Sequence, residues 1–241
     1  MCTVSYVSHN GLSIITSNRD EHIGRQTAAA PGVETINNRK IIFPKDAKAG
    51  GTWFAASEEG VIAVLLNGAF VKHIPAPPYR KSRGVIVLDI ISAASPAACF
   101  AEMDLDKIEP FTLILLQTSQ LTELRWDGNS KHEKELDTAG NYIWSSVTLY
   151  DEAAVAERNR LFDRFMNNHK TPSPADVYRF HANNNEDEEN GFVINRKIGL
   201  KTFSITQAII QPGKIDFLHY DLLQNRQFEE MILPNPVLIN Q

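Results

Sequence analysis

Apolar and polar positions alternate with a period of two along much of this chain. Residues 2–8 read CTVSYVS and residues 12–17 read LSIITS; Asn10-Gly11, between them, is the strongest short-range signal for a two-residue hairpin. Similar runs predict strands over 39–43, 52–57, 61–66, 111–117, 121–126, 131–136, 142–147, 203–210 and 215–220. Glu58-Glu59-Gly60 and Pro212-Gly213 supply hairpin turns. Helical periodicity appears over 84–94 and again from Pro96, which suits a first-turn position. It is clearest over 151–168, where Val155, Leu161, Phe162, Phe165 and Met166 share one broad face. A shorter helix is expected over 173–182, with Ser173 as candidate cap before Pro174. Strands come in blocks and helices come in blocks. That order predicts an α+β fold of antiparallel sheets covered by helices rather than a βαβ fold.

Composition narrows the class. The chain has 241 residues, 43% of them hydrophobic, enough for a substantial core. No Pro/Gly/Ser-rich linker divides it, so one domain over 1–241 is expected. A net charge of −5 gives no general reason to expect nucleic acid or an anionic membrane as partner. No apolar run reaches the roughly 18 residues of a membrane span, so no integral membrane association is expected. The start MCTVSYVSHN lacks the basic and apolar regions of a signal peptide. Cys2 and Cys99 make no disulfide framework, and a reducing cytoplasm is the expected location. Cys99 sits in a helical pattern and reads as core packing. The histidines form no metal-binding pattern and there is no Gly-rich phosphate loop, so no metal and no cofactor is expected. The stretch 183–190, NNNEDEEN, reads as a solvated loop.

The candidate chemistry begins at Cys2. It follows Met1 directly, and aminopeptidases remove Met before a small residue. A chain beginning with Cys2 carries a thiol and an α-amine on one carbon. An α-amine ordinarily titrates at roughly 7.7–8.0 and can take the thiol proton. The plainer alternative is a small buried hydrophobe starting a strand. The predicted hairpin then delivers Asn18-Arg19-Asp20-Glu21, where its second strand should end, beside Cys2. A cation there lowers a thiol pKa, and a carboxylate orients an ammonium group or holds the arginine. The plainer alternative is a charged strand end facing water.

Met1-Cys2, Asn18-Arg19-Asp20-Glu21 and, later, Gly50-Gly51-Thr52-Trp53-Phe54 with the strand Ala63 to Asn67 occur in that order. In this the sequence resembles the NRDE family, the transport-and-Golgi-organisation proteins and their bacterial relatives. Arg83-Gly84 opening a helix also fits, as does Lys201-Thr202-Phe203-Ser204, with Lys201 where that family carries arginine. The resemblance spans most of the chain and is thin over 127–190. The family is similar to N-terminal-nucleophile hydrolases, which implies a four-layer αββα sandwich.

Two functions follow from this resemblance. One is a hydrolase of a linear carbon–nitrogen amide bond: Cys2 attacks a carbonyl, Arg19 and Asp20 set the thiol and amine electrostatics, and Asn67 helps form an oxyanion hole. The turn-forming pair Asn67-Gly68 is the plainer reading of that asparagine. The other is a carrier on an inherited hydrolase scaffold, since the Golgi-organisation group implies links to membrane traffic, lipid or acyl-CoA handling and haem movement. Either way the partner is a small molecule: an amide, an acyl compound or haem. Asn18, Glu21, His22, Trp53 and Ser145 are candidate pocket residues; His22 and Ser145 read equally as loop residues. Arg25 matches a basic position of the family and either receives an anion or pairs with a surface acid. Arg158 and Arg160, in the long helix, are expected to make surface contacts.

Overall fold

A computed structural model describes residues 3–117 and 120–234. Cys2 therefore lies outside the described residues. Two antiparallel sheets face one another. The first joins β1 (Thr3–His9), β2 (Leu12–His22), β10 (Tyr142–Ser145), β11 (Leu200–Gln211), β12 (Lys214–Asp221) and β13 (Arg226–Ile232), in the order β10-β1-β2-β11-β12-β13. The second runs β3-β4-β5-β6-β7-β8-β9 through β3 (Ala29–Ile36), β4 (Arg39–Lys45), β5 (Phe54–Ser57), β6 (Ile62–Asn67), β7 (Phe111–Gln117), β8 (Gln120–Trp126) and β9 (Lys131–Leu136). Helices α1 (Arg83–Ile91) and α2 (Pro96–Glu102) lie over the second sheet, and α3 (Glu152–Asn168) and α4 (Pro174–His181) over the first. The result is the expected αββα layering.

Strand alternation builds this sandwich. In the first hairpin, Val4, Tyr6 and Ile15 point between the sheets into the main core, while Val7 and Ile14 point outward to meet Phe162 of α3 and Val177 of α4. Phe54 and Phe217, both fully buried, meet edge-to-face across the sheets at 5.5 Å. Asn10 and Gly11 take positive φ in the first turn, as the hairpin signal requires. Ser173 caps α4 through a capping box with Asp176.

Three elements differ from expectation. β2 does not end at residue 17 but continues through the whole Asn18–Glu21 tetrad to His22, because β11 pairs with it along that length. β3 and β13 were not predicted. Pro31 and Gly32 interrupt the strand signal of β3, which tolerates them as an edge strand with a register shift. β13, RQFEEMI, is an edge strand whose exposed charges mask its alternation.

Candidate functional site

Because β2 is a strand through the tetrad, consecutive side chains go to opposite faces. Arg19 and Glu21 turn toward the inter-sheet side, where a cleft of about 360 Å³ opens. Asn18 and Asp20 turn to the other face, beneath α3 and α4, and are sealed there. The four residues do not form one charged patch facing water.

On the cleft side, Asp46 organises the arginines. Its Oδ2 accepts from Arg19 Nη2 at 3.1 Å and from Arg25 Nη2 at 2.9 Å. Its Oδ1 accepts from the backbone N–H groups of Ala49 and Lys48 at 2.8 and 3.0 Å. Burial alone raises the Asp46 pKa, but the Ala49 N–H and the guanidinium groups of Arg25 and Arg19 outweigh it, holding the carboxyl below its usual range. Arg19 is almost fully buried, its guanidinium 4.4 Å from the Trp53 ring centroid. Burial lowers its pKa, and the charges of Glu21 and Asp46 oppose that. Glu21 lies 3.7 Å from Arg19 and 3.4 Å from Arg25.

The cleft's far wall is the start of α1. Gly51 and Gly84 meet there so closely that a Cβ on Gly51 would fall 2.2 Å from the Gly84 carbonyl carbon. Thr52 N–H donates to the Gly84 carbonyl at 3.0 Å. This contact explains why the GGTW block and Arg83-Gly84 occur together: only glycine at both positions lets the backbones touch. Arg83 then pairs with Glu109 at 3.0 Å.

The opposite face holds a buried polar cluster. Asn18 Nδ2 donates to the carbonyls of His181 and Phe192, both at 3.0 Å, which leaves its Oδ1 to accept from His181 Nδ1. His181 Nε2 accordingly accepts from the Ser5 hydroxyl at 2.7 Å. Burial, with a smaller contribution from Arg158, pushes the His181 pKa down to about 3, so the ring is neutral. Asp20 accepts from Tyr150 Oη at 2.7 Å and from Thr202 Oγ1 at 2.5 Å. Arg158 is not a surface residue. It is fully buried, stacks 3.6 Å over the Tyr150 ring centroid, and donates to the Thr3 hydroxyl and the carbonyls of Asn190 and Gly191. Arg160 does lie at the surface, paired with Glu157.

Thr3, the first described residue of β1, pairs with Asn18 on one side and with Ser145 on the other. Ser146 Oγ donates to the Asn67 carbonyl at 2.8 Å, tying β6 to this end of the first sheet. Asn67 lines the main cleft and also a smaller one of about 190 Å³, which Ser145 lines too. Trp53 lines the main cleft, with its Nε1 buried and unpartnered among the described residues. Arg25 is there as well. His22 is exposed, outside both linings, with Nδ1 accepting from Gly24 N–H. The sequence pattern did not single out Asp46 or Glu109. Asp46, six residues before Thr52, is recognisable only once the turn that follows it is known.

The sandwich is that of the N-terminal-nucleophile hydrolases. Two variants of a conjugated bile acid hydrolase from Clostridium perfringens, one altered at an arginine and one at a cysteine, each match with TM-score 0.55 and 10% identity over 100% of this chain and 95% of theirs. A Caenorhabditis elegans orthologue of N-acylethanolamine-hydrolyzing acid amidase matches with TM-score 0.59 and 10% identity over 86% of this chain and 92% of its own. The sequence profile of the Transport and Golgi organisation 2 family matches residues 1–208, and the chain belongs to that family. No curated protein matches it. No helix among the described residues is long and apolar enough to cross a membrane.

Proposed function

We propose that the protein hydrolyses a linear amide bond with Cys2 as nucleophile after removal of Met1. The observation that carries this is the pairing of Thr3, which Cys2 precedes, with Asn18, the neighbour of Arg19 on the wall of the arginine-lined cleft. Cys2 is one residue from Thr3, and successive Cα atoms are about 3.8 Å apart. In this reading the α-amine takes the thiol proton and the sulfur attacks the carbonyl carbon. The carbonyl electron pair moves to oxygen, where the Asn67 amide stabilises it. Collapse breaks the C–N bond and the amine leaves with the proton. Water then hydrolyses the thioester and restores the thiol. Arg19 acts from the cleft side on the thiolate. Asp20 acts from the other face, fixing the strand end through Tyr150 and Thr202. A reducing cytoplasm keeps such a thiol free.

A carrier for haem, lipid or acyl-CoA is the second reading. It is favoured by the exposure of Phe70, Val71 and Ile74 on the loop leading to the cleft residues Tyr79 and Lys81. Untagged wild type and Cys2→Ser, screened against small N-acyl amides, separate the two. Hydrolysis is expected from wild type alone, with a thioester mass adduct in single turnover. Equal turnover in both proteins overturns the nucleophile. Ligand binding unchanged by Cys2→Ser, with no turnover in either, supports the carrier.

A further inference from the structure

The two clefts differ in chemistry, and they share Asn67. The larger is lined by Arg19, Arg25, Lys81 and Arg83 together with Glu21, Asp46 and Glu109. Its carboxylates are already occupied. Asp46 accepts from two guanidinium groups and two backbone N–H groups, Glu109 pairs with Arg83 and His73, and Glu21 with Arg19 and Arg25. Arg25 uses Nε and Nη2 on Asp46, and its Nη1 has no hydrogen bond among the described residues. The arginine is one-third exposed, whereas Asp46 is 12% exposed. The open hydrogen-bonding capacity of this cleft is therefore in donors, which suits an anion. The smaller cleft is walled by Leu66, Ile143, Val147 and Val155. Arg125 also lines it, but its guanidinium is already engaged by Glu123 and the Ala69 carbonyl. The Ser145 hydroxyl there is buried without a partner among the described residues. At about 190 Å³ it holds roughly six heavy atoms, taking ~30 Å³ for each as for a water molecule.

We propose that the two clefts are the two halves of one ligand site: a short aliphatic chain fills the smaller, and an anionic group on the far side of the amide is held by Arg25 in the larger. This rests on the hydrolase reading in one respect, that the bond between the two parts lies at Asn67. The Ser145 hydroxyl meets the amide end of the chain as it leaves the smaller cleft.

The test is calorimetric binding to Cys2→Ser of N-hexanoylglycine, N-hexanoylglycinamide, N-acetylglycine and N-dodecanoylglycine. N-hexanoylglycine is expected to bind about tenfold more tightly than the neutral amide, for its ionic hydrogen bonds, and on the order of a hundredfold more tightly than the acetyl compound, for its four extra buried methylenes. The dodecanoyl compound gains nothing further. Arg25→Ala removes the preference for charge and leaves that for chain length; Val155→Phe does the reverse. Binding indifferent to charge or to chain length, no binding at all, or both variants eroding both preferences alike overturns the two-part site. The hydrolase reading is tested separately on wild type with the same compounds. Turnover without these preferences sinks only the two-part site, and these preferences without turnover sink only the hydrolase.

Discussion

The two faces of β2 at its C-terminal end carry neighbouring residues with opposite fates. On one, Arg19 and Glu21 join an ion network at the wall of an open cleft. On the other, Asn18 and Asp20 are sealed with Ser5, His181, Tyr150 and Thr202, and Arg158 stacks on Tyr150. A contiguous tetrad is thus two sites, separated by the thickness of a sheet. Polar groups beside water lose little when a partner is removed, because water replaces it. Sealed groups incur the full desolvation penalty. Substitutions one residue apart should therefore differ by several kcal/mol.

The largest effect is expected at Arg158. Replacing it with Ala leaves a void and strips donors from Thr3 Oγ1 and the Asn190 and Gly191 carbonyls. A loss of about 3–5 kcal/mol follows, seen as a fall in Tm of about 2–4 °C per kcal/mol. Arg158→Lys keeps the charge but not the planar fork, and recovers only part of it. A loss below about 1 kcal/mol for Arg158→Ala would mean the cluster is not sealed.

Asp20→Ala comes next, at about 2–4 kcal/mol, since the Tyr150 and Thr202 hydroxyls lose their acceptor in a dry site. Chemical denaturation of Asp20→Ala and Glu21→Ala side by side measures the contrast across one peptide bond. Equal losses would end it.

Acid should also act through the sealed positions. Burial holds His181 down to about 3, and burial, with Arg19 adding to it and Asp221 opposing, holds His219 down to about 4. Both folded values lie below the unfolded value of roughly 6.5, so the unfolded chain binds more protons below that pH. The contribution to stability is complete above about pH 6.5 and falls as pH drops toward 4 and then 3. Each ring contributes a slope of up to about 1.4 kcal/mol per pH unit. Tm measured from about pH 7 to about pH 4.5, a window below the unfolded value, should fall less steeply in His181→Asn than in wild type. Parallel curves would show that His181 does not titrate with unfolding.

Much of the fold was legible because its cause is local. Alternation marked most strands, Asn10-Gly11 set the first turn, and Ser173 with Pro174 marked a helix start. β3 and β13 were illegible because edge strands need no apolar alternation. The tetrad was found as a motif, but its division between two faces depends on β11 extending the strand, a partner some 180 residues away in sequence, as the Asp20–Thr202 hydrogen bond records. Arg158 was misread for a related reason. A cation on an amphipathic helix reads as surface until Thr3, Tyr150 and Gly191 arrive from other parts of the chain to enclose it.

Glu21→Gln should have the smallest effect on stability. Its carboxylate is a quarter exposed, and its contacts to Arg19 and Arg25 at 3.7 and 3.4 Å are long for ion pairs. Asp46 keeps both arginines tied at 3.1 and 2.9 Å when the Glu21 charge is removed. A change below about 1 kcal/mol is expected, and it should shrink further in high salt as screened pairs do. The same substitution removes a negative charge from a cleft that keeps all its cations. Binding of an anionic ligand should therefore tighten while Tm hardly moves. A Tm loss comparable to that of Asp20→Ala would place Glu21 in the sealed class and erase the distinction between the two faces. Weaker anion binding at unchanged Tm would keep the distinction and show that Glu21 holds Arg25 in its working position.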